Sequence, residues 1–364
     1  MPLFKLFLHL SISLLCLVWG SVAWGCAICA PSAEQNSLVY RLITVDSAML
    51  AKPSKDGKTF APLHAIKGEQ PKGVVAVVDN LGTAEGSQTA ESVLLLFNPA
   101  LGGWINAGAM PVARLDWLRQ LATMRPASAL TPTDSSWPSR VALFAKDLEH
   151  PIPLLAQTAY DEIAVAPYHV MRTLQPHLNA AKLNEWLQSD ALVKRRSLYN
   201  LLLGFVGDKT AASTLEQRML TKGQSLDKGE LSSMMAAYIE LRGSSGVDWI
   251  EANFLKNKAR SDMEVQAAVL ALTVHGNDGV KVTRERVIQS YAAYIQSNPT
   301  RAGFVASDLG NWGRWEFVSD FMALLKSGTQ QAFASRYAIV LYLMRSPSQE
   351  ARNALEQLRA EGVL

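Results

Sequence analysis

Cysteine is scarce in this chain, which has only Cys16, Cys26 and Cys29 among its 364 residues. Cys16 lies inside an apolar leader, so a mature chain would keep two cysteines and could form no long-range disulfide network. The sequence also lacks the Gly-x-Ser-x-Gly, His-Glu-x-x-His, Walker and dinucleotide-binding fingerprints. These absences argue against an enzyme and predict that the protein holds no cofactor and no metal.

Charge is also sparse, at 18% of residues, and nearly balanced, with 35 Lys and Arg against 32 Asp and Glu. The formal net charge of +3 falls to about +2 when the leader, with Lys5 as its only charged residue, is removed. A nucleic-acid-binding protein usually carries a clustered basic face, which this balance does not supply. We expect no nucleic-acid partner.

The first 25 residues have the organisation of a secretory signal peptide. Lys5 supplies the positive charge, Leu6 to Val18 form the apolar core, and small residues follow at Ala23 and Gly25, the two candidate cleavage sites. The core is shorter than the roughly 20 apolar residues of a spanning helix, and no second run of that length follows. We expect a periplasmic or secreted protein without a transmembrane span after cleavage.

The pair Cys26 and Cys29, in "GCAICAP", admits four interpretations. A local disulfide is favoured, because export delivers the thiols to an oxidising compartment. A lipid anchor at Cys26, making an outer-membrane lipoprotein, agrees only with Gly25 at the preceding position. Thiol–disulfide exchange lacks a helix that starts at the pair, and metal binding lacks a second pair of ligands.

Short apolar segments predict a β-rich domain over residues 26–124, ending in a helix. From about Leu38 to Pro111 the pattern is strand-like, with four or five short strands such as "GVVAVVDN" and "ESVLLLFNP". The order "SAMLAK", "HAIKG", "GVVAVV", "SVLLLFNP" after a cysteine-containing start resembles the OB-type barrel of netrin modules and tissue inhibitors of metalloproteinases. The resemblance implies a small antiparallel β-barrel.

The same resemblance implies a possible activity for the N-terminus. In those inhibitors the mature N-terminal cysteine chelates the zinc of the protease through its α-amine and carbonyl. Only Cys26 matches that position, and only if cleavage follows Gly25. This chain has Cys-x-x-Cys where the inhibitors have Cys-x-Cys, and it lacks the distant cysteines that bridge to them.

Residues 125–138, "RPASALTPTDSSWP", are rich in Pro, Ser and Thr and predict a linker between domains. Residues 139–364 then show short helical patterns separated by Gly, Asn, Asp and Pro. Pairing these helices gives a period of about 35 to 45 residues, which is typical of helical-hairpin solenoids. "AAVLALTVHGNDG" and "SPSQEARNALEQLRAEG" resemble HEAT-type helices, and an irregular helical bundle is the alternative.

Two stretches of the helical part contain candidate site residues. Trp312 and Trp315, in "GNWGRWEF", are candidate partner-binding residues, with burial between repeats as the alternative. In "LEHPIPLLAQTAYDEIAVAPYHV", Asp161 and Glu162 are adjacent and so point about 100° apart on a helix. We expect them to serve as caps or on solvent faces, and we expect the basic "LVKRRS" (192–197) to be a solvated helix start.

These observations predict an α+β protein with a β-barrel-like head and an all-α, HEAT-like solenoid. An extended concave solenoid surface suits protein binding. The function expected is a non-enzymatic interaction or scaffold module of the cell envelope. The alternatives are inhibition of an extracellular metalloprotease and thiol–disulfide activity at Cys26 and Cys29.

Overall fold

A computed structural model describes Ile28 and residues 37–55, 57–327 and 333–364. Below, residues 37–124 are called the head and residues 139–364 the helical region. The predicted signal peptide, Cys26 and Cys29 lie outside the described residues.

Five strands of the head form one sheet that closes on itself. They are β1 (Ala48–Pro53), β2 (Thr59–Lys67), β3 (Val75–Asn80), β4 (Val93–Asn98) and β5 (Gly103–Ala109). Their order is β1-β2-β3-β5-β4, and β4 pairs back onto β1. The pair β3–β5 is parallel, so the prediction of an antiparallel sheet is wrong there. The reason is that β4 crosses over to pair with β1, which leaves β5 to close the sheet beside β3.

A helix precedes the sheet where the sequence predicted strand-like structure. Helix α1 (Leu38–Thr44) begins after Ser37, whose side chain accepts a hydrogen bond from the Tyr40 backbone N–H. Its β-branched residues gave the strand-like pattern. Helix capping by Ser37 and burial of Leu38 and Leu42 override that local preference.

Strands β1 and β4 are buried on both faces. Met49 and Leu95 face the interior of the closed sheet, where they pack with Phe60. Leu50 and Leu94, one residue away in each strand, belong instead to the main core shared with the helices. Since side chains alternate between the faces of a strand, this arrangement explains the unbroken apolar run "VLLLF".

The remaining described elements are helices, and none of them is long and apolar enough to cross a membrane. They are α2 (Leu115–Ala122), α3 (Trp137–Ala145), α4 (Pro153–Ala164), α5 (Tyr168–Arg172), α6 (Ala180–Gln188), α7 (Arg196–Val206), α8 (Lys209–Lys222), α9 (Lys228–Arg242), α10 (Ser244–Ile250), α11 (Asp262–Asp278), α12 (Arg284–Ser297), α13 (Ala306–Asn311), α14 (Val318–Lys326), α15 (Phe333–Arg345) and α16 (Gln349–Ala360).

Helix α9 is the centre of the helical region and packs against both α7 and α11. Gly204 allows the close approach of α7, since a Cβ atom there would lie 2.8 Å from the Cα atom of Ala237. Arg172 links α5 to α9 and α11 by binding Glu240 at 2.9 Å and Asp278 at 2.7 Å. Three helices distant in sequence are thereby held by one guanidinium group.

The segment of residues 125–138, predicted to be a linker, packs against its surroundings. Trp137 is buried, and its indole N–H donates to the Thr131 carbonyl. Arg140 of α3 donates to the Arg125 carbonyl and forms a buried ion pair with Glu162 of α4 at 2.6 Å. The head and the helical region also share one continuous apolar core.

Candidate functional site

A cleft of about 460 Å³ lies between the head and the helical region. The head lines it with Leu38, Arg41, Leu81, Gly82 and Thr83. The helical region lines it with Pro153, Leu154, Gln157, Thr158, Asp161 and Arg195. Neither part forms this cleft alone, and its volume falls within the range of small-molecule pockets.

Helix α4 supplies most of the helical wall, and its first turn borders the cleft. Pro153 stands at the first position, where a missing N–H costs nothing and the fixed φ suits the helix. The preceding Ile152 offers no side chain to cap the helix, and the first turn contains no acidic residue. The positive end of the helix dipole is therefore not compensated locally.

Asp161 is the buried acid of the cleft, with 4% of its surface exposed. Its Oδ1 accepts a hydrogen bond of 2.7 Å from the Gln157 amide, one helical turn earlier. Burial raises the pKa of Asp161 to about 7, against the lowering effect of that hydrogen bond. Glu162 raises this pKa further, whereas Arg195 and Arg41 lower it. The carboxyl group thus exchanges its proton near neutral pH.

Arg195 is held beside Asp161 by several contacts. Its guanidinium group binds Glu149 Oε1 at 2.5 Å and Gln157 Oε1 at 2.7 Å, and it lies over the Tyr160 ring. Burial alone would lower the pKa of Arg195, but the hydrogen bond to Glu149 and the charge of Glu149 outweigh it, so the pKa is raised. Arg195 therefore stays charged, and it is not the solvated residue that the sequence predicted.

Glu149, which binds Arg195, occupies a strained backbone conformation. Its φ of 52° is positive, which no other non-glycine residue in the described parts of the chain shows. Such a conformation costs of the order of 1–3 kcal/mol and often marks a functional site. The Tyr199 hydroxyl also donates to Glu149 Oε1, so the carboxylate is fixed from two sides.

Part of the wall formed by the head is the turn that follows β3. The Thr83 hydroxyl donates to the Ala107 carbonyl, which fixes the turn to β5. Gly108 of β5 has a φ of 127°, and a Cβ atom there would lie 2.4 Å from the Thr83 carbonyl oxygen. Only glycine permits this approach, so the position of the turn depends on Gly108.

The polar side chains of the helical wall are bound to one another or to the backbone. The Thr158 hydroxyl donates to the Leu154 carbonyl at 2.6 Å. Among the described residues, no group of three or more His, Cys, Asp and Glu side chains is placed to hold a metal ion. The cleft instead combines two cations, one titratable acid and apolar walls.

The tryptophans predicted as partner-binding residues lie elsewhere, half-buried against the core. Trp312 stacks on Tyr291 with 5.7 Å between ring centroids, and its indole N–H donates to Asn277. Trp315 packs against Tyr342. Neither residue lines the cleft, and both contribute to packing between helices.

Of the predicted cysteine pair, Cys26 and Cys29, the structure describes only the intervening Ile28. Ile28 is 5% exposed and belongs to the main core. Its carbonyl lies against Gly229 at the start of α9, 3.5 Å from where a Cβ atom of Gly229 would stand. Ile28 is thus held against the start of α9.

The sequence drew attention to Asp161 and Glu162, but the prediction that they are capping or solvent-exposed residues is wrong. Both are almost fully buried, at 4% and 1% exposure, because α4 lies between the head and its neighbouring helices. Arg41 and Thr83 were missed altogether. The one available signal was Gln157 four residues before Asp161, an i,i+4 pair that stabilises a helix.

A second acid with a raised pKa lies away from the cleft. Asp308 of α13 accepts hydrogen bonds from the Thr273 and Tyr291 hydroxyls. Burial raises the pKa of Asp308 to about 6, and the two hydrogen bonds lower it only in part. Asp308 therefore provides a matched comparison for Asp161.

Comparison of the sequence and the structure with protein-family models, curated proteins and solved structures gives no match.

Proposed function

We propose that this chain is an exported, non-enzymatic binding protein of the cell envelope, whose ligand occupies the cleft between the head and the helical region. The observation that carries the proposal is the cleft itself, which both parts line and into which Asp161, a nearly buried acid, faces. Concave sites with a few converging polar groups and a perturbed acid are typical of ligand recognition.

The fold supports a binding role by analogy. A closed sheet of five strands agrees with an OB-type barrel, and the packing of α7, α9 and α11 in succession agrees with a HEAT-like stack. Both architectures recur in binding proteins, although a fold does not determine a function. The proposal therefore rests on the cleft rather than on the fold.

The burial of Ile28 favours this function over inhibition of a metalloprotease. An inhibitor of that type must present its mature N-terminus to the zinc of the protease. Ile28, two residues after Cys26, is instead buried against the helical region. Ile28 is thus engaged within the protein.

Export and the thiol state can be tested together on the mature protein. The protein is expressed with its own leader, and its intact mass is measured with and without thiol alkylation. The proposal expects cleavage after Ala23 or Gly25, no lipid, and Cys26 and Cys29 oxidised to each other. A retained leader would contradict export. Reversible reduction of the pair at a thioredoxin-like potential would favour thiol–disulfide activity instead.

Binding at the cleft can be tested with a photo-crosslinking residue at Pro153, which is exposed at the edge of the cleft. The same group at Val280, which is 63% exposed and does not line the cleft, is the matched control. We expect envelope components crosslinked from position 153 but not from position 280, and we expect Arg41→Gln to abolish them. Identical products from both positions would contradict the proposal.

A further inference from the structure

One face of α15 is apolar and exposed near the C-terminal end of the helical region. The exposed fractions of Phe333, Tyr337 and Met344 are 84%, 56% and 59%. The helix packs against α13 and α16. The residues that it buries lie on its other side and are Ser335, Ile339, Tyr342 and Leu343. Large apolar side chains that cluster on the surface of a folded protein indicate an interaction site.

The spacing of the exposed residues is that of a coiled-coil seam. Phe333, Tyr337, Val340 and Met344 follow one another at intervals of four, three and four residues, which is the heptad spacing at which two helices pack together. Since successive residues of a helix are about 100° apart, these four side chains lie within about 60° of one another. Val340 is half-buried, and the other three are exposed. The face therefore has the shape that another helix fits.

This seam reads the same from either end of α15. In an antiparallel pair of α15 helices, Phe333 lies opposite Met344 of a second copy, and Tyr337 lies opposite Val340 of that copy. Methionine sulfur packs favourably on aromatic rings. Phe333 and Tyr337 are already stacked, with ring centroids 6.3 Å apart and an interplanar angle of 11°. A twofold axis at the middle of the helix would thus use the same patch on both molecules, as isologous dimers do.

Charge does not oppose such a pairing. The charged residues of α15 are Arg336 and Arg345, and both bind their own chain. Arg336 donates to the Val363 carbonyl, and Arg345 donates to Asn311 Oδ1. Antiparallel packing also sets the positive end of each helix dipole beside the negative end of the other.

The exposed area indicates how strong the pairing is. With about 200 Å² for a side chain of this size, Phe333, Tyr337 and Met344 together expose about 400 Å² on each copy. Two copies would bury about 800 Å² from these side chains alone, whereas stable complexes bury about 1,200–2,000 Å² in total. The area therefore agrees with a weak and reversible dimer.

We infer that two copies of this protein pair through antiparallel packing of their α15 helices, with Tyr337 near the twofold axis. The second copy covers the seam as α7 and α11 cover α9 within the chain. None of the residues of the seam lines the cleft, so the pairing leaves the cleft open and goes beyond the proposed function.

Analytical ultracentrifugation of the mature protein tests the pairing. We expect a monomer at about 1 µM and a reversible dimer at about 100 µM. Tyr337→Glu places a charge in the seam and should raise the dissociation constant at least tenfold. Leu101→Glu makes an equivalent change in the head, at a residue that is 54% exposed, and should leave the constant unchanged. A wild-type protein that is still monomeric at about 300 µM would overturn the inference.

A second variant separates loss of pairing from loss of folding. Phe333→Ser alters the most exposed residue of the seam and should also weaken the dimer at least tenfold. The melting temperatures of both variants, measured at about 1 µM where all forms are monomers, should equal that of the wild type. If both variants dimerise as the wild type does, the pairing lies elsewhere and the inference is wrong.

Cross-linking tests the orientation, in a background where Cys26→Ser and Cys29→Ser remove the native thiols. An antiparallel pair sets Phe333→Cys of one copy opposite Met344→Cys of the other. Two copies of the same variant would instead hold their thiols about 16 Å apart along the helix. A short bismaleimide should therefore join the mixed variants and neither variant to itself. Efficient cross-linking of each variant to itself would show a parallel pair and overturn the inference.

A lipid surface is the other occupant that an exposed aromatic face could have. Vesicles of phosphatidylethanolamine and phosphatidylglycerol are sedimented with the wild type and with Tyr337→Glu. We expect both proteins to remain in the supernatant. Sedimentation of a monomeric wild type with the vesicles, abolished by Tyr337→Glu, would overturn the inference in favour of membrane binding.

Discussion

The Gln157 side chain joins Asp161 to Arg195: its amide nitrogen donates to Asp161 Oδ1 at 2.7 Å, and its carbonyl oxygen accepts from Arg195 at 2.7 Å. One amide group therefore lies between the acid and the Arg195 guanidinium group. Asp161 and Arg195 consequently do not form a direct ion pair, and the acid keeps its raised pKa beside a charged guanidinium group.

Replacing Asp161 should change how stability depends on pH. The pKa of Asp161 rises from 3.8 in the unfolded chain to about 7 in the folded protein, so the folded state binds the proton more tightly. The free energy of unfolding should then fall as pH rises from about 4 to about 7, by up to about 4 kcal/mol. Asp161→Asn should flatten this dependence in urea unfolding and be more stable than the wild type at about pH 8.

Asp308→Asn is the control for that experiment. The pKa of Asp308 is also raised, to about 6, so this variant should flatten a lower part of the same pH range. If Asp161→Asn left the pH dependence unchanged, Asp161 would not be enclosed as described.

The ion pair between Arg140 and Glu162 should be costly to break from one side. Both side chains are at most 4% exposed, so Arg140→Met removes the ion-pair partner of a buried carboxylate and should cost about 3–5 kcal/mol. The double variant Arg140→Met with Glu162→Met removes both charges and should recover part of that loss. Chemical unfolding measures both, and equal stability of single and double variants would contradict this account.

Removal of the head should weaken the helical region. Helix α4 packs against β5 and against the turn that contains Thr83, and the apolar core continues across this boundary. The fragment of residues 139–364 should be helical by circular dichroism but should melt below the full chain. A fragment that melts at the same temperature would show that the two parts are energetically independent, as the predicted linker implies.

Trp312 should contribute more to stability than to recognition. It stacks on Tyr291 and donates a hydrogen bond to Asn277, so Trp312→Ala should cost about 2–3 kcal/mol. Trp312→Phe keeps the stacked ring and should cost less. If Trp312→Ala left the melting temperature unchanged but abolished crosslinks to partners, the original prediction of a binding residue would be the better one.

The sequence predicted the elements of this protein better than the site. The alternating and β-branched runs marked the five strands, and glycine and proline marked the breaks between helices. The helix at Leu38–Thr44 was missed because its packing, rather than its residue preferences, determines its structure. The crossover that makes β3 and β5 parallel also has no recognisable pattern in the local sequence.

The cleft could not be predicted from the sequence because it, too, depends on tertiary packing. Its charged residues, Arg41, Asp161 and Arg195, are spread over more than 150 positions and meet only through the packing of the head on α4. An adjacent Asp–Glu pair on a helix is usually exposed. Only the tertiary structure shows that Asp161 and Glu162 are covered, and that each then finds a different partner.

The measurement that tests this account most directly is a carbon-13 NMR titration of the Asp161 carboxyl carbon. The account predicts a midpoint near pH 7. Asp161→Asn identifies the resonance by removing it. A midpoint near the ordinary value of about 4 would contradict both the enclosed acid and the binding site built around it.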